Sequence, residues 1–157
     1  MTTVTTATAL APSVPPPPRG GDTYGLSLPN TPAAPKVARD FVTSLLGLKE
    51  RHAVLLDEAR LCTTEVVTNA HRHTRTPLIR MAVTVDREQV TVSVADDNPW
   101  VLPVPGVPGG GGGVGEELES GQGLFLVATL ARAWGATVCG GCSPGHKNVW
   151  FTLAGSG

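Results

Sequence analysis

Glu65, Asn69 and His73 stand four residues apart in the run Glu65-Val66-Val67-Thr68-Asn69-Ala70-His71-Arg72-His73. In a helix that spacing stacks three side chains into one slowly drifting stripe. A carboxylate in such a stripe can act as a base. An amide oxygen is a hard ligand of the kind Mg²⁺ accepts beside water and phosphate. Taken alone, the stripe reads more readily as an ordinary solvated helix face.

Three further groups carry chemistry. Val92-Ser93-Val94-Ala95-Asp96-Asp97-Asn98-Pro99 ends a strand-like alternation in an acid. The carboxyl ends of strands are where ligand crevices open, and Asp96 can accept a hydrogen bond from an exocyclic amine. The plainer reading is a turn, which Asp, Asn and Pro favour for backbone reasons. Gly121-Gln122-Gly123-Leu124 opens a helical pattern, so its backbone amides could cradle an anion; it is equally a helix-entry turn. Cys139-Gly140-Gly141-Cys142 with His146 could begin a zinc site, but structural zinc takes four ligands, and Cys62 belongs to an apolar helix face. A glycine turn flanked by free thiols is favoured. His52 carries no functional weight.

These groups need elements to position them. Tyr24, Leu26 and Leu28 alternate as in a strand. Asn30-Thr31-Pro32 predicts a helix start with an Asn or Thr cap, running through Val37, Phe41, Val42, Leu45 and Leu46 to Gly47. A second helix is predicted over about 54–73, its face marked by Leu55, Ala59, Cys62, Val66 and Ala70. Ile79 to Val85 and Val90 to Val94 alternate as two strands, joined by the polar link Asp86-Arg87-Glu88-Gln89 as a hairpin. Between Asp97 and Ser120, Pro99 with Pro103, Pro105 and Pro108 and the run Gly109 to Gly113 exclude a helix or central strand. Leu124 to Trp134 predicts a third helix, with strands at about 135–139 and 148–153 to close the domain. The expected class is α/β: a two-layer sandwich with a mixed, mostly antiparallel sheet covered by three helices.

Composition narrows the function. With 12 basic and 13 acidic residues in 157, the balance argues against a strongly basic surface for direct nucleic-acid binding, though it leaves room for a local patch. No apolar run approaches the roughly 20 residues of a membrane span. The first positive side chain is Arg19, so no basic region precedes an apolar one as in a secretory signal. Three cysteines without a disulfide framework fit a reducing, cytoplasmic setting. Residues 1–20, ending in Pro15-Pro16-Pro17-Pro18, have the composition of a disordered Pro-rich tail. The domain is expected over 21–154.

Order and spacing join the separate signals. Glu-x-x-x-Asn-Ala-x-x-His on a helix, a hairpin ending in Asp96, a long loop, then Gly121-x-Gly123-Leu124 resembles the GHKL (Bergerat-fold) ATPase pattern. Gly145-His146-Lys147-Asn148-Val149-Trp150-Phe151 looks like that family's last motif. The resemblance covers about 24–153, and its short form is similar to the anti-sigma-factor serine/threonine kinases. It implies ATP and Mg²⁺ as cofactors, Glu65 as general base toward a partner's hydroxyl, and Asn69 as the Mg²⁺ ligand. Asp96 would take the adenine amine, with Asn98 in the same box. Gly121, Gly123 and Leu124 would shape the phosphate cradle and 97–120 the ATP lid. His73 matches the motif's histidine, with a helix-end structural role equally open. Two departures stand out: Asp96-Asp97-Asn98-Pro99-Trp100 lacks both glycines of the usual Asp-x-Gly-x-Gly box, and Lys147 stands where many relatives have threonine beside the adenine. The implied partners are an anti-sigma antagonist-like domain and a sigma factor, with a homodimer left open. The alternative from another class is a noncatalytic protein-docking module with weak or lost nucleotide binding.

Overall fold

The computed structural model describes residues 3–4, 21–48, 50–96, 126–139 and 146–155. The polar link at 86–89 forms the expected hairpin turn. Asp86 Oδ1 accepts the backbone N–H groups of Glu88 and Gln89, each at 2.8 Å. An aspartate that closes its own turn in this way fixes the register of the strands it joins. Those strands are β3 (Leu78–Val85) and β4 (Gln89–Asp96), and β4 buries every second side chain from Val90 to Asp96. β2 (Asp22–Pro29) pairs antiparallel with β3. The chain closes with β5 (Ala133–Cys139) and β6 (His146–Ala154), and β6 inserts between β5 and β4.

With β1 at Thr3–Val4, the sheet order is β1-β5-β6-β4-β3-β2. The five longer strands are antiparallel throughout. The two-residue β1 (Thr3–Val4) adds a parallel pairing on the outer edge of β5. It falls inside the segment that composition assigns to a tail; the rest of 1–20 lies outside the described residues.

Helices cover one face. α1 (Ala34–Gly47) buries Ala34, Ala38, Val42 and Leu46, a strict four-residue spacing. A 3₁₀ turn, Glu50–Leu55, leads into α2 (Leu56–His73), which buries Ala59, Cys62, Thr63, Val66, Val67 and Ala70. Residues 126–130 form a third helix, α3. These faces and the inward side chains of the sheet make one cluster, with Trp134, Phe151, Leu28, Leu46 and Ile79 among its largest fully buried members. Each such aliphatic side chain contributes about 1.5–3 kcal/mol by leaving water. The architecture is the expected two-layer sandwich with a mixed, mostly antiparallel sheet. No helix among the described residues is long and apolar enough to cross a membrane.

Two local expectations are corrected. α1 has no side-chain cap: Ala33 is its N-cap residue, and the Ala34 N–H donates to the Thr31 carbonyl at 3.0 Å. The Asn30 side chain is committed elsewhere, to His71 and Thr76. The helix predicted to run to Trp134 does not; Ala133 already starts β5. Trp134 is 1% exposed and sits opposite Phe151 in the β5–β6 ladder. Pairing two large aromatics across strands outweighs one more helical turn.

Candidate functional site

The topology gathers one end of the sheet around the end of α2. Only residues 74–77 separate α2 from β3, so the last turns of the helix must lie where β3 begins. The start of β3 pairs with the end of β4, Arg80 opposite Ala95. Beside it runs the start of β6, with Lys147 opposite Asp96. On the other flank Leu78 lies opposite Pro29, at the end of β2. The C-terminal part of α2 thus comes to the same sheet end as Asp96 and Lys147.

Several bonds hold α2 there. Its last turn carries His71, Arg72 and His73, which suits the negative end of the helix dipole. Thr74 leaves the helix in an extended conformation, and its hydroxyl donates to the Ala70 carbonyl at 2.6 Å, satisfying one of the open acceptors of the terminus. Asn30 Nδ2 donates to the Thr76 carbonyl at 2.8 Å, and its Oδ1 accepts from His71 Nδ1 at 2.7 Å. Sequence reasoning gave His71 no role although it lies inside the motif; a polar residue ending a strand, Asn30, was the signal.

On α2, Glu65 and Asn69 are half-buried at the edge of the apolar face, and His73 is exposed. A four-residue step overshoots a full helical turn by about 40°, so the stripe rotates outward by its third member. Asn69 Nδ2 is buried and has no hydrogen-bond partner among the described residues. An amide can flip to exchange its oxygen and nitrogen at little cost in shape. A buried amide end without a protein partner is where a ligand, ion or water completes the bonding.

Asp96 is 3% exposed at the end of β4, and Lys147 4%. Their charged heads form an ion pair, Lys147 Nζ to Asp96 Oδ2 at 3.4 Å. Spacing within either motif did not announce this contact; only the ladder register between β4 and β6 does.

Asn98, Gly121, Gly123, Leu124 and the expected 97–120 lid lie outside the described residues, as does Cys142. Cys139 and His146 are ladder partners where β5 ends and β6 begins, next to Lys147 in the sequence. Among the described residues no three His, Cys, Asp or Glu side chains cluster as a metal site. Cys62 is fully buried, and burial, reinforced by the nearby Glu58 and Glu65 carboxylates, pushes its thiol up to about 12. It is therefore a packing residue and not a thiolate ligand. His52 is buried too, its Nε2 2.8 Å from the Asp86 carbonyl, where it steadies the hairpin turn.

The donor set fits an adenine nucleotide with Mg²⁺ on two counts: an unpartnered buried amide on α2 and a buried acid ending the neighbouring strand. Of the described residues, Asn69 and Asp96 are among those that would hold such a group. No curated protein matches the chain. The family model of the histidine kinase-like ATPase domain matches residues 28–150, a span that contains α2, β5 and the first half of β6. The chain belongs to the histidine kinase-like ATPase domain family.

Proposed function

We propose that this protein is an ATP-dependent serine/threonine kinase of the anti-sigma-factor type, which phosphorylates a small partner domain and sequesters a transcription regulator. The observation that carries the reading is the placement of Asn69, with its unpartnered buried amide, at the same sheet end as the buried Asp96. ATP is the phosphoryl donor in this reading. Asn69 would hold Mg²⁺, which would supply positive charge to offset the phosphates, and Asp96 would accept from the adenine amine. Glu65 takes the proton of the partner's hydroxyl as its oxygen bonds to the γ-phosphorus; the bond to the β–γ bridging oxygen breaks and ADP leaves. Little covalent chemistry is asked of the protein, so positioning and electrostatics supply most of the rate.

The partners in this reading are an antagonist-like domain bearing the acceptor hydroxyl and a sigma factor, met in the cytoplasm by a monomer or a homodimer. A second reading, a docking module with weak or lost nucleotide binding, is favoured by the absence of both glycines after Asp96, where Asp97-Asn98-Pro99-Trp100 stand instead. Calorimetric titration with Mg·ATP separates the two: absence of binding at millimolar ATP eliminates the kinase. Where binding is found, incubation of labelled ATP with antagonist-like domains tests transfer. Glu65→Gln should keep nucleotide affinity and lose transfer; full residual transfer removes Glu65 as the base.

A further inference from the structure

We propose that the open edge of β2 pairs with the same edge of a second copy, so that two sheets continue through a two-fold axis at Gly25. The inference is independent of the nucleotide reading. β2 is one edge of the sheet, while the other edge carries β1. The Asn30 N–H donates to the Pro77 carbonyl at 3.0 Å, which marks this as the hydrogen-bonded kind of antiparallel pair. The two kinds alternate along the β2–β3 register, so Asp22, Tyr24, Leu26 and Leu28 turn their backbone groups toward β3. Thr23, Gly25 and Ser27 turn theirs away from it, and all three are exposed. Among the described residues, no strand or side chain takes those outward groups.

Edge strands are ordinarily blunted by charge, proline or a bulge. β2 keeps an unbroken register over eight residues, and from Thr23 to Leu28 it carries neither charge nor proline. A Cβ built at Gly25 meets nothing within 4 Å, so approach is open there. The strand is also self-complementary. With the axis at Gly25, Thr23 faces Ser27 of the second copy, and each outward N–H and C=O of the three residues finds a partner. Tyr24 faces Leu26 of the second copy in a non-hydrogen-bonded pair, the kind in which side chains lie closer. Both are half-buried at the rim of the core, and the pairing covers them further. Asp22, the only charge in the strand, faces Leu28 of the second copy, so no like charges meet. An axis at Leu26 would instead set Thr23 against Pro29, which has no N–H. The stretch leading into β2 contains Pro12 and Pro15 to Pro18, which also lack the N–H a ladder needs. A second copy therefore suits the edge better than the chain's own leading segment. Edge pairing is a small interface, so the expected association is weak, in the micromolar range.

The test is sedimentation equilibrium of the full chain from micromolar to millimolar concentration, where a monomer–dimer equilibrium is expected. Thr23→Lys combined with Ser27→Lys sets like charges opposite each other on both sides of the axis and should weaken association about tenfold or more. Thr23→Lys combined with Ser27→Glu sets opposite charges there and should restore it. Gly25→Cys should form a disulfide between copies under mild oxidation, because residues of a hydrogen-bonded pair have Cα atoms about 5.5 Å apart, within disulfide reach. Thr23→Cys, whose two copies lie on opposite sides of the axis, should not. A chain that stays monomeric throughout overturns the proposal and leaves the edge to a strand of another protein. Dimerisation only after removal of residues 1–20 overturns it as well, by giving the edge to the leading segment. So does a dimer that the lysine pair leaves intact and Gly25→Cys fails to cross-link, since its interface then lies elsewhere. The unmodified chain and the Gly25→Cys cross-link decide the matter even if the lysine variants do not fold.

Discussion

Asn30 Oδ1 and His71 Nδ1 lie 2.7 Å apart, which ties the end of β2 to the last turn of α2. The other end of the same amide donates to the Thr76 carbonyl, an acceptor only, so the amide orientation is fixed and His71 Nδ1–H is the donor. Asn30→Ala removes both bonds and leaves a ring N–H and a carbonyl without their partner. The expected cost is about 1–3 kcal/mol, read as a lower urea midpoint at unchanged slope. Amide exchange should quicken first around 70–77. Uniform loss of protection across the domain would mean that the clamp has no local role.

Asn69→Ala should separate function from stability. The buried Asn69 Nδ2 has no partner among the described residues, and an unsatisfied buried donor costs about 1–3 kcal/mol. Removing it should therefore leave the melting temperature unchanged or higher. Saturating Mg·ATP should raise the melting point of the unmodified protein, because a ligand that binds only the folded state stabilises it. The variant should show no such rise. A rise of equal size in both proteins would strip Asn69 of its proposed metal role.

What the sequence made legible was what period and turn chemistry encode. The three- and four-residue spacing of Ala59, Cys62, Val66 and Ala70 located α2, and alternation from Val90 to Val94 located β4 with its inward face. Asp86 announced its own turn. Asp96 and Asn69 were singled out from motif order, and the topology brings their elements to one sheet end. The Asp96–Lys147 pair was not legible, because it depends on which strand neighbours β4, a non-local choice that leaves no trace in either segment. Trp134 was placed on a helix because its upstream neighbours keep helical spacing, and only its packing against Phe151 reveals a strand.

Gly135 lies directly opposite Trp150 in the β5–β6 ladder. A Cβ built at Gly135 would sit 3.0 Å from Trp150 Cζ2 and 3.1 Å from Cε2 and Nε1, with Trp150 itself only 4% exposed. The indole occupies the space a side chain would need. Gly135→Ala should cost stability modestly, since the ring can yield by a few tenths of an ångström. Gly135→Val should cost about 1–3 kcal/mol through overpacking. Fluorescence of Trp150 should shift in both variants; a stabilised Gly135→Ala with unchanged emission would show that the strand tolerates a side chain here.

Cys62 gives a pH prediction with a definite sign. Its thiol is raised from an ordinary 9.0 to about 12, by burial first and then by Glu58 and Glu65. Below pH 9 the thiol is protonated in both folded and unfolded chains, and its contribution to stability is fully present. Between pH 9 and 12 the unfolded chain releases the proton and the folded chain retains it, so stability falls as pH rises through that window. Cys62→Ala has no such titration. The difference in unfolding free energy between the two proteins should therefore be flat up to about pH 9 and shrink above it. In the same way, peptide-resolved mass spectrometry after iodoacetamide at pH 8 should find Cys62 unlabelled in the folded protein and labelled in urea. Rapid labelling of folded Cys62 would show that the helix face carrying Glu65 opens to solvent, and the tight packing assigned to α2 would have to be abandoned.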